Sequence, residues 1–313
     1  MVRSAQRAWT PWRARALDVM AGPDGIVVGV AVDHRDSLRA VLERKGISAP
    51  PDELLSAMKL RIVRALAPGA TLVLADAEYA AAQAIAGHAL PGGTALATPL
   101  EAQGYGDAAE GAATTLLEDW SPRAAAHLGA TACKLLLPYR ADEPAHAEAQ
   151  EEVVRTALEA CEEAGVALIL EPIVYGSPQE DELAALVVEG ASRLASLGPD
   201  VLKLQYPGSL AACRLLDEAC GPEIPWVLLG GGADAKTLAG RIEDACRAGA
   251  SGFVVGRTLW DAALVADADE SERALEGLSV PMLERLAATA RRHGRPWRDR
   301  VGPVESPQLG WYR

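Results

Sequence analysis

From about Gly25 onward, short apolar runs alternate with stretches of helical period, the pattern of strands exchanging with helices around a parallel sheet. Eight runs read as strands: 26–33, 71–76, 94–98, 132–137, 167–173, 201–206, 226–230 and 253–257. Between them, Leu183, Leu186, Val187, Gly190, Leu194 and Leu197 fall on one helical stripe, and Val154, Ala157, Leu158 and Cys161 on another. Leu238, Ile242, Ala245 and Cys246 form a third, behind a predicted N-cap at Asp234. Trp120 precedes Ser121-Pro122, which reads as a capped helix start. Eight strands with helices between them predict an α/β fold, a closed (β/α)8 TIM barrel over about 25–265 within one domain, 1–313. An open doubly wound sheet is disfavoured because no G-x-G-x-x-G turn follows the first strand.

Two extensions flank the barrel: a leader, 1–24, with a short helix, and a C-terminal piece, 266–313, with a helix near 282–293. Trp9, Trp12, Trp297 and Trp311 lie in these extensions, as does Tyr312. Such aromatics are expected to dock onto the barrel or onto a second copy of the chain, which makes a homo-oligomer an expected form.

Composition narrows the function classes. Half of the 313 residues are apolar, chiefly Ala, Leu and Val, enough for a large core. The net charge of −13, with no large Lys/Arg cluster, argues against a nucleic-acid partner. No run of about 18 apolar residues occurs, so no membrane span is expected. The first residues lack a signal-peptide apolar stretch, and a cytoplasmic location is expected. The five cysteines contain no C-x-x-C pair and read as small core residues. The five histidines show no ligand spacing, so neither a metal nor any other cofactor is expected.

In a barrel, chemistry sits at the C-terminal ends of the strands. Here those ends carry Asp33 and Arg35 (strand one), Asp76 (two), Lys134 (four), Glu171 (five), Lys203 and Gln205 (six) and Arg257 (eight). Parity places Leu202 and Leu204 on the helix side and turns Lys203 and Gln205 inward. Alternate strands fill one interior layer, so Lys134 and Lys203 are expected close together with Glu171 between them. A lysine attacks a carbonyl as its neutral amine, a form that burial and a neighbouring ammonium both favour. A nearby carboxylate can then move protons, and the imine accepts the electrons of a cleaved carbon–carbon bond. Asp33 is given a site role from its strand-end position, and Lys59 a structural one. Gly230, Gly231 and Gly232 after strand seven, with Gly256 and Arg257 after strand eight, form the usual barrel place for a phosphate or other oxyanion.

Several of these residues lie in motifs. They are Val-Asp-His-Arg-Asp-Ser-Leu at 32–38, Leu-Ala-Asp-Ala-Glu-Tyr at 74–79, Asp-Trp-Ser at 119–121 and Ala-Cys-Lys-Leu-Leu-Leu at 132–137. They continue with Leu-Glu-Pro at 170–172, Asp-Val-Leu-Lys at 200–203, Pro-Trp-Val-Leu-Leu at 225–229 and Ala-Gly-Ala-Ser-Gly-Phe-Val-Val-Gly-Arg at 248–257. In this order they resemble the class I tagatose-1,6-bisphosphate aldolase family, which includes sulfofructosephosphate aldolases, over roughly Gly25 to Leu264. The resemblance implies a metal-independent Schiff-base aldolase with Lys203 as imine lysine, Glu171 as acid/base and Lys134 as assisting lysine. It implies a ketose phosphate or bisphosphate substrate, with dihydroxyacetone phosphate as the ketone half near Gly231, Gly232, Gly256 and Arg257. Asp33, His34 and Gln205 complete the expected substrate-binding set. The chain departs from the family pattern at His34 (usually Gln), Gln205 (usually Glu) and Gly230–Gly231 (commonly Ser). These departures keep two alternatives open: a related Schiff-base aldolase for a sulfosugar or deoxysugar phosphate, and a sugar-phosphate-binding regulatory barrel without turnover.

Overall fold

The structure, a computed structural model, describes residues 9–176, 178–301, 304 and 306–310. Eight parallel strands close on themselves in chain order. They are β1 (Val27–Ala31), β2 (Leu72–Leu74), β3 (Ala95–Pro99), β4 (Ala132–Pro138), β5 (Ala167–Ile173), β6 (Val201–Leu204), β7 (Trp226–Leu229) and β8 (Gly252–Val255). Closure is made by β1 against β8, with Val28 opposite Phe253. Every strand is buried on both faces, which is why the runs are continuously apolar.

Two cores result from strand parity. Val28, Val30, Val73, Leu135, Leu168, Leu170, Leu202, Leu228 and Phe253 point outward to the helices. Val27, Ala31, Leu72, Leu74, Ala95, Ala97, Ala132, Ala167, Ile169, Val201, Val227 and Val254 point inward. Small residues recur on the inner faces of β3, β4 and β5, so long side chains such as lysines can lie across the interior. Gly252 is needed at the start of β8: its φ is +125°, and a Cβ there would lie 2.0 Å from the Val27 carbonyl oxygen.

The helices follow their local signals. Ser121 Oγ accepts the Ala124 N–H at 3.2 Å and caps Pro122–Leu128, while Trp120 Nε1 donates to Thr98 at 3.2 Å. Asp234 caps Ala235–Ala248 by accepting the Lys236 and Thr237 N–H groups. Two helices rather than one, Asp36–Arg44 and Asp52–Leu66, separate β1 from β2. The C-terminal helix Val280–His293 is led in by Ala268–Ala274 and a π-helical turn, Leu275–Ser279, a longer assembly than the sequence pattern suggests.

The leader forms the helix Pro11–Ala21, which seals the N-terminal end of the barrel with Ala14, Leu17, Met20 and Ala21. Its Arg13 is buried and pairs with Asp200, whose second oxygen accepts the Leu168 N–H at 2.8 Å. Trp297 is buried beside this helix, and the Trp9 ring lies 5.6 Å from it. The terminal tryptophans Trp9 and Trp297 therefore dock onto the chain's own barrel; Trp311 and Tyr312 lie outside the described residues. Among the described residues no helix is long and apolar enough to cross a membrane.

Candidate active site

At the C-terminal mouth, β5 and β6 carry Glu171 and Lys203 inward, and Lys203 Nζ lies 2.8 Å from Glu171 Oε1. Lys134, projecting from β4, is 3.2 Å from Glu171 Oε2. One carboxylate thus bridges the two lysines, with one oxygen turned to each. Lys134 is fully enclosed, at 0% exposure, and is also 3.0 Å from Asp33 Oδ2 and 2.6 Å from Glu101 Oε1. Its ammonium sits 4.7 Å above the Tyr105 ring centroid. Burial alone would lower its pKa, but Asp33, Glu101, Tyr105 and Glu171 together hold it well above the usual lysine range. Lys134 is therefore a fixed cation around which three carboxylates are arranged.

The carboxylates respond differently. Burial would raise Asp33, yet the charges of Lys134, His34 and Lys203 hold it well below the usual carboxylate range. For Glu101, burial outweighs Lys134 and the Leu136 N–H, and its pKa moves up. Two amino groups face three carboxylates here, and Glu101 is the one that shifts toward its neutral form.

His34 is buried between the Tyr105 ring, stacked at 5.1 Å, and the edge of Trp260, at 5.3 Å. Burial, joined by the nearby charges of Arg257, Lys59 and Lys203, overrides Asp33 and pushes the imidazole down to about 3. Among the described residues, His34 Nδ1 and Asp33 Oδ1 are buried without hydrogen-bond partners, 3.7 Å apart. A Cβ at Gly256 would lie 2.7 Å from His34 Cε1, so this glycine makes room for the imidazole.

The oxyanion candidates form an adjoining, more open group. Gly231 and Gly232 are exposed turn residues with φ of +58° and +69°. A Cβ at Gly232 would sit 3.7 Å from an Arg257 Nη. Arg257 is exposed at the start of the short helix Arg257–Trp260, not at the end of a strand as the apolar run suggested. With Arg44, Lys45, Asp234 and Thr258 it lines a depression of about 470 Å³. Gln205 lies apart from both groups. It is one residue past the end of β6, and its Oε1 accepts the Val174 N–H at 2.7 Å, tying the β5 and β6 ends together. Lys59 is buried against Asp76 at the end of β2, and burial lowers its pKa despite that pairing.

Two residues of the cluster escape the sequence reading. Glu101 lies two positions beyond β3, and Tyr105 opens the short helix Tyr105–Ala109 that follows. Tyr105 Oη donates to the Glu171 carboxylate, 3.0 Å from Oε2 and 3.3 Å from Oε1, and approaches Asp33 Oδ2 at 3.4 Å. The strand-end rule, extended past β3, reaches Glu101; nothing in the apolar pattern marks Tyr105.

A parallel barrel with a buried lysine–carboxylate cluster at its C-terminal mouth is the architecture of a barrel lyase that works through side chains. Residues 27–262 match the DeoC/LacD family aldolase family, and the chain belongs to it, as an aldolase and carbon–carbon lyase. Among curated relatives, tagatose 1,6-diphosphate aldolase 2 of Enterococcus faecalis is 25% identical over 281 residues, 80% of this chain and 84% of that protein. Tagatose 1,6-diphosphate aldolase of Staphylococcus haemolyticus is 24% identical over 290 residues, 83% of this chain and 88% of that one. Similar solved folds include an archaeal fructose 1,6-bisphosphate aldolase, with TM-score 0.63, 18% identity and coverage of 90% of this chain and 99% of that one. Another is the fructose-bisphosphate aldolase of Plasmodium falciparum, with TM-score 0.69, 12% identity and coverage of 94% and 99%.

Proposed function

We propose that the chain is a class I, Schiff-base aldolase that cleaves a ketose bisphosphate of the tagatose-1,6-bisphosphate type to dihydroxyacetone phosphate and an aldehyde. The observation that carries this reading is the Glu171 carboxylate bridging Lys203 and Lys134. Lys203 Nζ attacks the substrate ketone, and water leaves as the imine forms. Glu171 Oε1, 2.8 Å from Nζ, can take the proton that must leave the amine before attack. Glu171 returns that proton to the carbinolamine hydroxyl, which leaves as water, and the regenerated carboxylate then accepts the proton of the hydroxyl beyond the scissile bond. The bond's electron pair flows into the imine, giving an enamine and a free aldehyde. Protonation of the enamine carbon and hydrolysis of the imine release the ketone half.

Lys134 supplies fixed positive charge that keeps Glu171 and Asp33 ordered around the reacting atoms. Asp33 Oδ1 and His34 Nδ1 suit a substrate hydroxyl, which can donate to the first and bond to the second. Gly231, Gly232, Gly256 and Arg257 are the groups for the phosphate. Gln205 acts on the substrate only through the loop it pins. The five buried cysteines suit the reducing conditions of the cytoplasm.

The test is borohydride reduction with dihydroxyacetone phosphate, followed by peptide mass spectrometry. One covalent adduct on Lys203, absent in Lys203→Met, is expected. An unlabelled chain overturns the reading. A panel of tagatose, fructose and deoxysugar phosphates, with a sulfosugar phosphate, then decides the sugar.

A further inference from the structure

We propose that Tyr105 is a positioning residue for Glu171, holding Oε2 of that carboxylate so that Oε1 stays aimed at Lys203. The inference rests on the aldolase reading above and concerns a residue outside the lysine–glutamate set.

Glu171 has two oxygens with two tasks. Oε1 faces the imine lysine at 2.8 Å, and Oε2 meets Lys134 at 3.2 Å and the Tyr105 hydroxyl at 3.0 Å; the hydroxyl straddles the carboxylate, 3.3 Å from Oε1, with Oε2 the nearer oxygen. The Lys134 contact is the long member of its set, because that ammonium is drawn at 2.6 Å to Glu101. A carboxylate turns readily about its last torsion. With Lys134 shared among three carboxylates, the phenol is the partner best placed to fix this rotation. It is neutral under all ordinary conditions, since burial and the facing Asp33 and Glu171 charges raise its pKa well above the usual value. It therefore serves as a steady donor, and Glu171 remains the group that exchanges protons.

The chain places this phenol with some care. The segment after β3 folds back on itself: Glu101 bridges Leu116, Ala102 N–H donates to Thr115, and Leu117 N–H donates to Leu100. Gln103 Nε2 and Thr114 Oγ1 both donate to the Leu136 carbonyl on β4, at 3.2 and 3.0 Å. Gly176 N–H, from the loop after β5, donates to the Ala109 carbonyl at 3.2 Å. Tyr105 thus opens a short helix, Tyr105–Ala109, in a segment fastened to β4, which carries Lys134, and to the loop after β5, the strand that carries Glu171. Its ring also packs against Lys134 and His34, so hydroxyl and ring make separable contributions.

Tyr105→Phe removes the hydroxyl and keeps the ring. The expected result is an unchanged yield of borohydride-trapped dihydroxyacetone phosphate on Lys203, which also shows that the site is folded. Exchange of the ketone's α-proton with D2O, followed by NMR, slows at least about tenfold, as does kcat, while KM stays within about threefold. Tyr105→Ala, which also removes the ring, is expected to lose trapping as well. If Tyr105→Phe matches wild type in exchange rate and kcat while Tyr105→Ala is impaired, the residue is ring packing only and the inference fails. If the wild-type chain forms no adduct, the aldolase reading falls first and takes this inference with it.

Discussion

Replacing Lys134 by methionine tests the central electrostatic argument. The substitution keeps most of the side-chain volume and removes one charge. In its place it leaves Asp33, Glu101 and Glu171, each no more than 4% exposed, with Lys203 as the nearest remaining cation for Glu171. Removing one partner of a buried ion pair costs about 3–5 kcal/mol. Three carboxylates depend on this ammonium, so the loss at pH 8 is expected at the upper end of that range or above. Part of it is recoverable by acid. Burial already raises Glu101 against the opposing charge of Lys134, and without that charge it moves further above its unfolded value, so the folded variant binds more protons between the two. Its stability then falls as pH rises through that window, by up to about 1.4 kcal/mol per pH unit for that group. Urea unfolding of both chains at pH 5 and pH 8 measures the difference. The variant is expected to lose more at pH 8 than at pH 5, with unchanged slope. Equal midpoints at pH 8, or a deficit that grows toward acid, would refute the picture of Lys134 as a fixed cation.

Other expectations follow from the same geometry. The His34 imidazole, pushed down to about 3, takes up its proton more readily in the unfolded chain, so stability should fall as pH drops from about 6.5 toward 3; in His34→Gln, thermal melts across that range should lose most of this slope, and an unchanged slope assigns it to other groups. Gly256→Ala would put a Cβ 2.7 Å from His34 Cε1 and 2.9 Å from the Ala31 carbonyl oxygen; the cost should be about 1–3 kcal/mol with a raised KM, and wild-type stability would show that the imidazole moves freely. Burial pushes the Cys213 and Cys246 thiols up to about 12, so native protein should react slowly with a disulfide reagent at pH 8 and yield five thiols once unfolded.

The barrel was legible because continuous apolar runs can serve only strands covered on both faces, and Asp234 and Ser121 mark helix starts by their own chemistry. The inward set Lys134, Glu171 and Lys203 followed from parity within a strand. The same rule misplaced Gln205, because alternation is a property of extended backbone and β6 ends at Leu204. Arg257 illustrates the converse: the run Phe253–Val255 is strand, but Gly256 turns the chain into a helix before the arginine. Glu101 and Tyr105 were invisible to periodicity, since one lies past the end of β3 and the other opens a five-residue helix too short to show a stripe. They are found only when the fold brings the β3 loop over the ends of β4 and β5.

The seal at the barrel's N-terminal end has a consequence for biosynthesis. The helix Pro11–Ala21 is synthesised well before its partners: its buried Arg13 meets Asp200, 187 residues later in the chain, and Trp297 closes beside it later still. Contacts of such sequence separation form late. The N-terminal end of the barrel therefore reaches its final state only once Trp297 has been made, and a nascent chain stalled before it carries an apolar helix face with no complete seat. Such stalled chains should be the form that chaperones hold and proteases clear.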